Sequence, residues 1–153
     1  MTEKITPCLW FDDKIEEAVN FYVEVFGDAE IRRIDHYPDG RVLTMHFRLH
    51  NQEYMALNGG DMYKFTPAIS FSVDCRDQTE VDYFWGRLME GGGREDNCSW
   101  LQDRFGPSWQ IVPEALPRLL GQKDREAAGR VMQAMMQMQK IIVADLEKAS
   151  AGA

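Results

Sequence analysis

His46 lies in an alternating run, residues 41–49. Leu43, Met45, Phe47 and Leu49 take one side of that run, and Thr44, His46 and Arg48 the other. An imidazole on the polar side of a strand can act as a general base or as a ligand's hydrogen-bond partner; its ordinary role there is a solvated or structurally bonded histidine. His36 and His50 fall at strand ends, where exposure is the default. Cys8, Cys75 and Cys98 are far apart, odd in number and form no CxxC, so the sequence offers no disulfide framework and points to a reducing cytoplasm. Neither Cys8 nor Cys98 has a helix start or a cationic neighbour to lower its pKa, which favours inert thiols over nucleophiles. Asp103 stands at the entry to a tight hairpin, where an aspartate usually bonds the turn's backbone instead of doing chemistry.

Two glycine clusters could cradle a nucleotide-like methyl donor. Gly91-Gly92-Gly93 follows a helical pattern instead of a strand, and Asn58-Gly59-Gly60 leads into YKFTP, which is no helix start. Both read as turns. The net charge of -8, with no Lys/Arg cluster, argues against nucleic acid. It mildly favours a cationic ligand. No apolar run approaches the ~20 residues of a membrane span, and MTEKITPCLWFDD lacks the apolar core of a signal peptide.

The elements that must position these groups occur twice. ITPCLWF at 5–11 and FTPAISF at 65–71 both place Thr-Pro before an apolar run, and VNFY at 19–22 is echoed by VDYF at 81–84. The first half reads as a strand at 5–11, a helix through Ile15 to Phe26 capped by Asp12-Asp13, and strands at 30–37, 41–49 and 53–57. The second reads as a strand at 68–74, a helix at 78–90, a short strand near 94–97, and a hairpin of 100–103 and 108–112. The two Thr-Pro pairs are 60 positions apart and the two helices 62, which leaves the register open by an even slip. Residues 122–149 carry no strand signal and read as one or two helices. Their apolar residues must pack on the domain or on a second chain.

A repeated strand–helix–three-strand unit resembles the vicinal-oxygen-chelate superfamily of glyoxalases, extradiol dioxygenases and bleomycin-resistance proteins. Within it, ITPCLWF, AVNFYVEVFG, YMALNGGDMYKFTPAISFSVDC, SWLQDRFGPSWQIVP and RVMQAMMQMQKIIVADLEKA are similar to the PhnB-like family, often labelled 3-demethylubiquinone 3-methyltransferase-like. The resemblance implies an α+β fold of paired βαβββ modules, 1–61 and 62–116, forming a domain over 1–116 with a helical extension at 117–153. It also implies a concave cavity in each sheet and a homodimer.

Superfamily enzymes hold a divalent metal on four strand positions. These fall here on Thr6 (or Pro7), Ala56, Ala68 and Gln110, of which only Gln110 could coordinate anything, and a neutral amide is a weak ligand. No metal and no other cofactor is therefore expected. Face parity places Leu9, Phe11, Ile69, Phe71 and Val73 towards the helices. Thr6, Cys8, Trp10, Ala68, Ser70 and Ser72 then face the cavity, joined by Tyr54, Ala56, Asn58 and Gln110. Trp10 is either a stacking surface or core, and Trp100 either ligand contact or packing. The expected ligand site is Thr6, Cys8, Trp10, Tyr54, Asn58, Ser70, Ser72, Trp100 and Gln110, with His46 as a catalytic candidate. The expected function is metal-free binding of a small organic molecule. The alternatives are a superfamily lyase, isomerase or dioxygenase and, third, the methyltransferase of the family label.

Overall fold

The computed structural model describes residues 4–152. The chain divides into two compact units, 1–65 and 66–153. In the first, β1 (Cys8–Phe11) leads into α1 (Ile15–Phe26), followed by β2 (Ala29–His36), β3 (Val42–Leu49) and β4 (Gln52–Asn58). The sheet order is β1-β4-β3-β2, with β1 parallel to β4 and the other pairs antiparallel. Ile15, Ala18, Val19, Tyr22 and Val25, at helical spacing, are buried and pack α1 on the sheet.

Asp12 and Asp13 do not cap α1. Lys14 takes the N-cap position in a left-handed conformation (φ 72) with no side-chain cap bond. The first helical amide, Ile15 N–H, donates instead to Asn58 Oδ1 at 3.3 Å, and Asn58 Nδ2 donates to the Val42 carbonyl at 3.0 Å. Asn58 thus ties the end of β4 to α1 and β3.

The second unit repeats the plan. It contains β5 (Ser70–Cys75), α2 (Gln78–Leu88), β6 (Arg94–Glu95), β7 (Trp100–Gln102) and β8 (Ser108–Pro113), in the order β5-β8-β7-β6. Asp77 caps α2, its side chain accepting from Glu80 N–H. β1 and β5 begin 62 positions apart, at Cys8 and Ser70, and α1 and α2 end 62 positions apart, at Phe26 and Leu88, which sets the repeat at 62. The Thr-Pro pairs are therefore out of structural register. Thr66 Oγ1 accepts from Ala68 N–H in a turn that delays the second strand.

Two helices, α4 (Arg125–Met136) and α5 (Val143–Ala151), occupy the region where the sequence suggests one or two, and a short α3 (Ala115–Leu120) precedes them. Ala115, Leu116, Leu119, Val131, Ile141 and Leu146 form one buried cluster. The side-chain amide of Gln78 on α2 reaches this segment twice, donating to the Ile141 carbonyl at 2.9 Å and accepting from Val143 N–H at 2.7 Å. Lys140 pairs with Asp82 at 2.8 Å. The N–H groups of Cys98 and Ser99, both left-handed, donate to the carbonyls of Met138 and Gln139. The C-terminal helices are built into the second unit.

Burial raises the pKa of Tyr54 from 10.0 to about 12. Burial, then the carboxylates of Glu80, Asp74 and Asp77, raise that of Cys75 from 9.0 to about 12. The folded state holds both protons more tightly, so their contribution is complete below the unfolded values and is lost as pH rises towards the folded ones. Melting temperature should fall from pH 9 upward, the thiol acting first. Cys75→Ala should flatten the profile between pH 9 and 10; an unchanged slope in thermal melts would refute this assignment.

Candidate functional site

Each sheet has one face on its helix and one face away from it. In the first unit the outer face carries Cys8 and Trp10, beside Met55 and Leu57 of β4, then Thr44, His46 and Arg48 of β3. Tyr54, Ala56 and Asn58, expected on this face, are on the other. Ala56 pairs with buried Leu9 and is fully buried, Tyr54 stacks on Phe47 at 5.3 Å, and Asn58 bonds α1. The parallel register, invisible in the sequence, reverses them.

The outer face is occupied by its own partnerships. Trp10 donates its indole N–H to the Gly60 carbonyl at 2.8 Å and meets Tyr63 edge to face at 5.1 Å. A Cβ on Gly59 would lie 2.4 Å from the Trp10 ring, so the indole lies directly against that glycine. His46 Nε2 accepts from Arg33 Nη2–H at 3.0 Å; an arginine cannot accept, so the proton of a neutral ring here sits on Nδ1. The lone pair a general base would use is thereby engaged. The Thr44 hydroxyl, then the Arg33 guanidinium, hold the Asp35 carboxyl below the usual range. Arg32 pairs with Glu53 at 2.7 Å and with Glu30, and Arg48 with Asp28 at 3.0 Å. Cys8 is exposed, and partial desolvation raises its thiol pKa, the opposite of activation.

The second unit's outer face differs in kind. Ser70, Ser72, Ser108, Gln110, Trp100 and Gln102 share it by strand register. Gln110 Nε2–H donates to Ser70 Oγ at 2.9 Å. Among the described residues, Ser108 Oγ is the buried side-chain polar atom without a hydrogen-bond partner. A buried hydroxyl without a partner costs about 1–3 kcal/mol. Sequence reasoning placed Ser70, Ser72, Trp100 and Gln110 here and missed Ser108, although its two-residue spacing from Gln110 in the 108–112 strand puts it on the same face. Phe71 and Trp109 meet on the helix side at 5.3 Å, and Trp109 donates its indole N–H to buried Asp103 Oδ2 at 2.7 Å. Asp103 Oδ1 accepts from Phe105 N–H at 2.7 Å, so this carboxylate organises the hairpin.

An open cleft of about 740 Å³ lies at the start of α1, lined by Asp12, Asp13, Glu16, Tyr37, Arg41 and the glycines that follow β4. Its three carboxylates are exposed and solvated.

The four positions that a superfamily metal would use do not form a donor set. Ala56 and Ala68 offer no side-chain donor, Thr6 a neutral hydroxyl and Gln110 an amide already bonded to Ser70. The described residues hold no cluster of three or more His, Cys, Asp or Glu able to bind a metal ion. The glycine run at 91–93 is a helix-ending turn. Gly91 and Gly92 have φ of 78° and 126°, and a Cβ on Gly93 would lie 2.7 Å from the Met89 Cα.

Tandem βαβββ units with this strand order define the glyoxalase, or vicinal-oxygen-chelate, fold. The fosfomycin resistance protein FosX of Listeria monocytogenes superimposes with a TM-score of 0.61 at 14% identity, over 80% of this chain and 99% of FosX. A Pseudomonas aeruginosa protein does so with a TM-score of 0.61 at 17% identity, over 74% of this chain and 98% of its own. The PhnB protein of Bacillus cereus is 33% identical, with a TM-score of 0.66, over 72% of this chain and 99% of its own. The chain belongs to the PhnB-like family described as 3-demethylubiquinone-9 3-methyltransferase, whose model matches residues 3–112. No curated protein is significantly similar to it. No helix among the described residues is long and apolar enough to cross a membrane.

Proposed function

We propose that this protein binds a small organic molecule without a metal, in the manner of bleomycin-resistance proteins, on the outer face of β5, β8 and β7. The observation that carries this reading is the buried, unpartnered Ser108 hydroxyl on a face of small polar side chains beside an aromatic ring. The corresponding face of the first unit supports it by contrast, because its charges and Trp10 are already engaged by protein groups. FosX, a neighbour in fold alone, is known in complex with Mn(II). That makes a metal-dependent superfamily enzyme the rival, and the donor set at Thr6, Ala56, Ala68 and Gln110 speaks against it. The methyltransferase of the family description would need a methyl-donor cradle, which neither glycine cluster resembles. Association into a homodimer in the cytoplasm is part of the proposal, with exposed Met132 and Met136 of α4 as apolar surface for the second copy.

Native mass spectrometry of protein purified without chelator or added metal tests this directly. The expected result is a dimer without stoichiometric metal, retaining an organic mass that is lost or reduced in Gln110→Ala. One divalent metal per chain would overturn the reading in favour of an enzyme. Retained S-adenosylmethionine would overturn it in favour of the methyltransferase.

A further inference from the structure

We infer that the β5–β8–β7 face selects a neutral, planar molecule bearing a carbonyl oxygen, and discriminates against organic cations; this rests on that face being the ligand site. Ser70 and Ser108 are register partners on adjacent strands, which puts their side chains next to each other about 5 Å apart. Ser70 Oγ accepts from Gln110, so its own proton is free to donate outward. Ser108 has a hydroxyl proton and no protein acceptor for it. Two neighbouring hydroxyl donors match the two lone pairs of one carbonyl oxygen. Trp100 pairs with Gln110 on the same face and supplies a flat surface for a ring, while Gln110 Oε1 remains an acceptor.

The charge distribution excludes the class that the overall composition favours. Ser70, Ser72, Ser108, Gln110, Trp100 and Gln102 carry no ionisable group. The charged residues that share this register stand at its margins: Arg94, which donates to Gln102 Oε1 at 3.0 Å, exposed Asp96 opposite Trp100, whose carboxylate accepts from Asn97 N–H at 2.8 Å, and exposed Asp74 near the end of β5. A cation seated over the serines would lose water without gaining a carboxylate. The net charge of -8 acts on it only from a distance and is screened by salt.

Four bicyclic probes of similar size separate these terms: chromone, naphthalene, N-methylquinolinium and 1-naphthoate. Each is titrated into the full chain, with affinity from calorimetry and location from amide chemical shifts. Chromone is expected to move the amides of Ser70, Ser108 and Gln110 and to bind at least about tenfold more tightly than N-methylquinolinium, or ~1.4 kcal/mol. Ser108→Ala should weaken chromone several-fold, leave naphthalene unchanged, and leave melting temperature unchanged or higher, since it removes a hydroxyl with no protein partner. A lower melting temperature, or an unaltered chromone affinity, would overturn the role given to Ser108. If N-methylquinolinium or 1-naphthoate binds as tightly as chromone through the same amides, the neutral-carbonyl inference falls while the ligand site stands. If no probe moves those amides, the site itself falls.

Discussion

Asp103→Ala is expected to destabilise the second unit by about 3 kcal/mol, because it removes two hydrogen bonds to a charged acceptor and leaves a buried indole N–H without a partner. Asp103 is 4% exposed, and its two oxygens divide their work. Oδ1 closes the turn through Phe105 N–H, and Oδ2 fixes the Trp109 ring against Phe71. Asp103→Asn keeps one acceptor oxygen but opposes the second donor with an amide N–H₂, so it should lose less than the alanine variant. Chemical denaturation of the three proteins checks the order. A loss below about 1 kcal/mol for Asp103→Ala would mean that solvent replaces the carboxylate and the hairpin holds itself. The variant also bears on ligand binding, because Trp109 and Gln110 are successive residues of β8 on opposite faces. A tilted Trp109 would carry Gln110 and Ser108 with it.

Leu146→Ala should cost about 3 kcal/mol, within the range for emptying a fully buried leucine site. Leu146 is completely buried among Leu116, Leu119, Val131 and Ile141. The form of the transition matters more than its size. If α3–α5 belong to the second unit, as the Gln78, Lys140 and Cys98–Ser99 bonds indicate, helical and strand signals of that unit will shift together. A separate early loss of helix, with the Trp109 environment intact, would instead make them an appendage.

Legibility of the sequence followed chemical contrast. In β8, Ser108 and Gln110 alternate with Trp109 and Ile111, so polarity alone assigns the faces, and the structure agrees. In β4, Tyr54 and Ala56 alternate with Met55 and Leu57. Both sides are apolar, and only the pairing with β1 decides which one meets α1. That pairing is parallel and 40-odd residues distant, beyond any local pattern. The cap of α1 failed for a similar reason: Asp12 and Asp13 are good capping types, but Asn58 arrives from another strand to take Ile15 N–H. The short α3 was missed because six residues containing Pro117 show too little periodicity. The Thr-Pro echo was real as sequence, but it marks a turn in one half and the approach to a strand in the other.

The forked amide of Gln78 also constrains the order of folding. α5 is nine residues long, and Ile142 at its N-cap position provides no side-chain bond. A helix of that length is marginal in water by itself. Its first amide is secured by a residue 65 positions away, and the carbonyl of Ile141, two residues before it, by the same side chain. The start of α5 therefore gains these bonds only once α2 is in place to receive it, so closing the large loop between them precedes the fixing of its first turn, while Leu146 can already pack on α3 and α4.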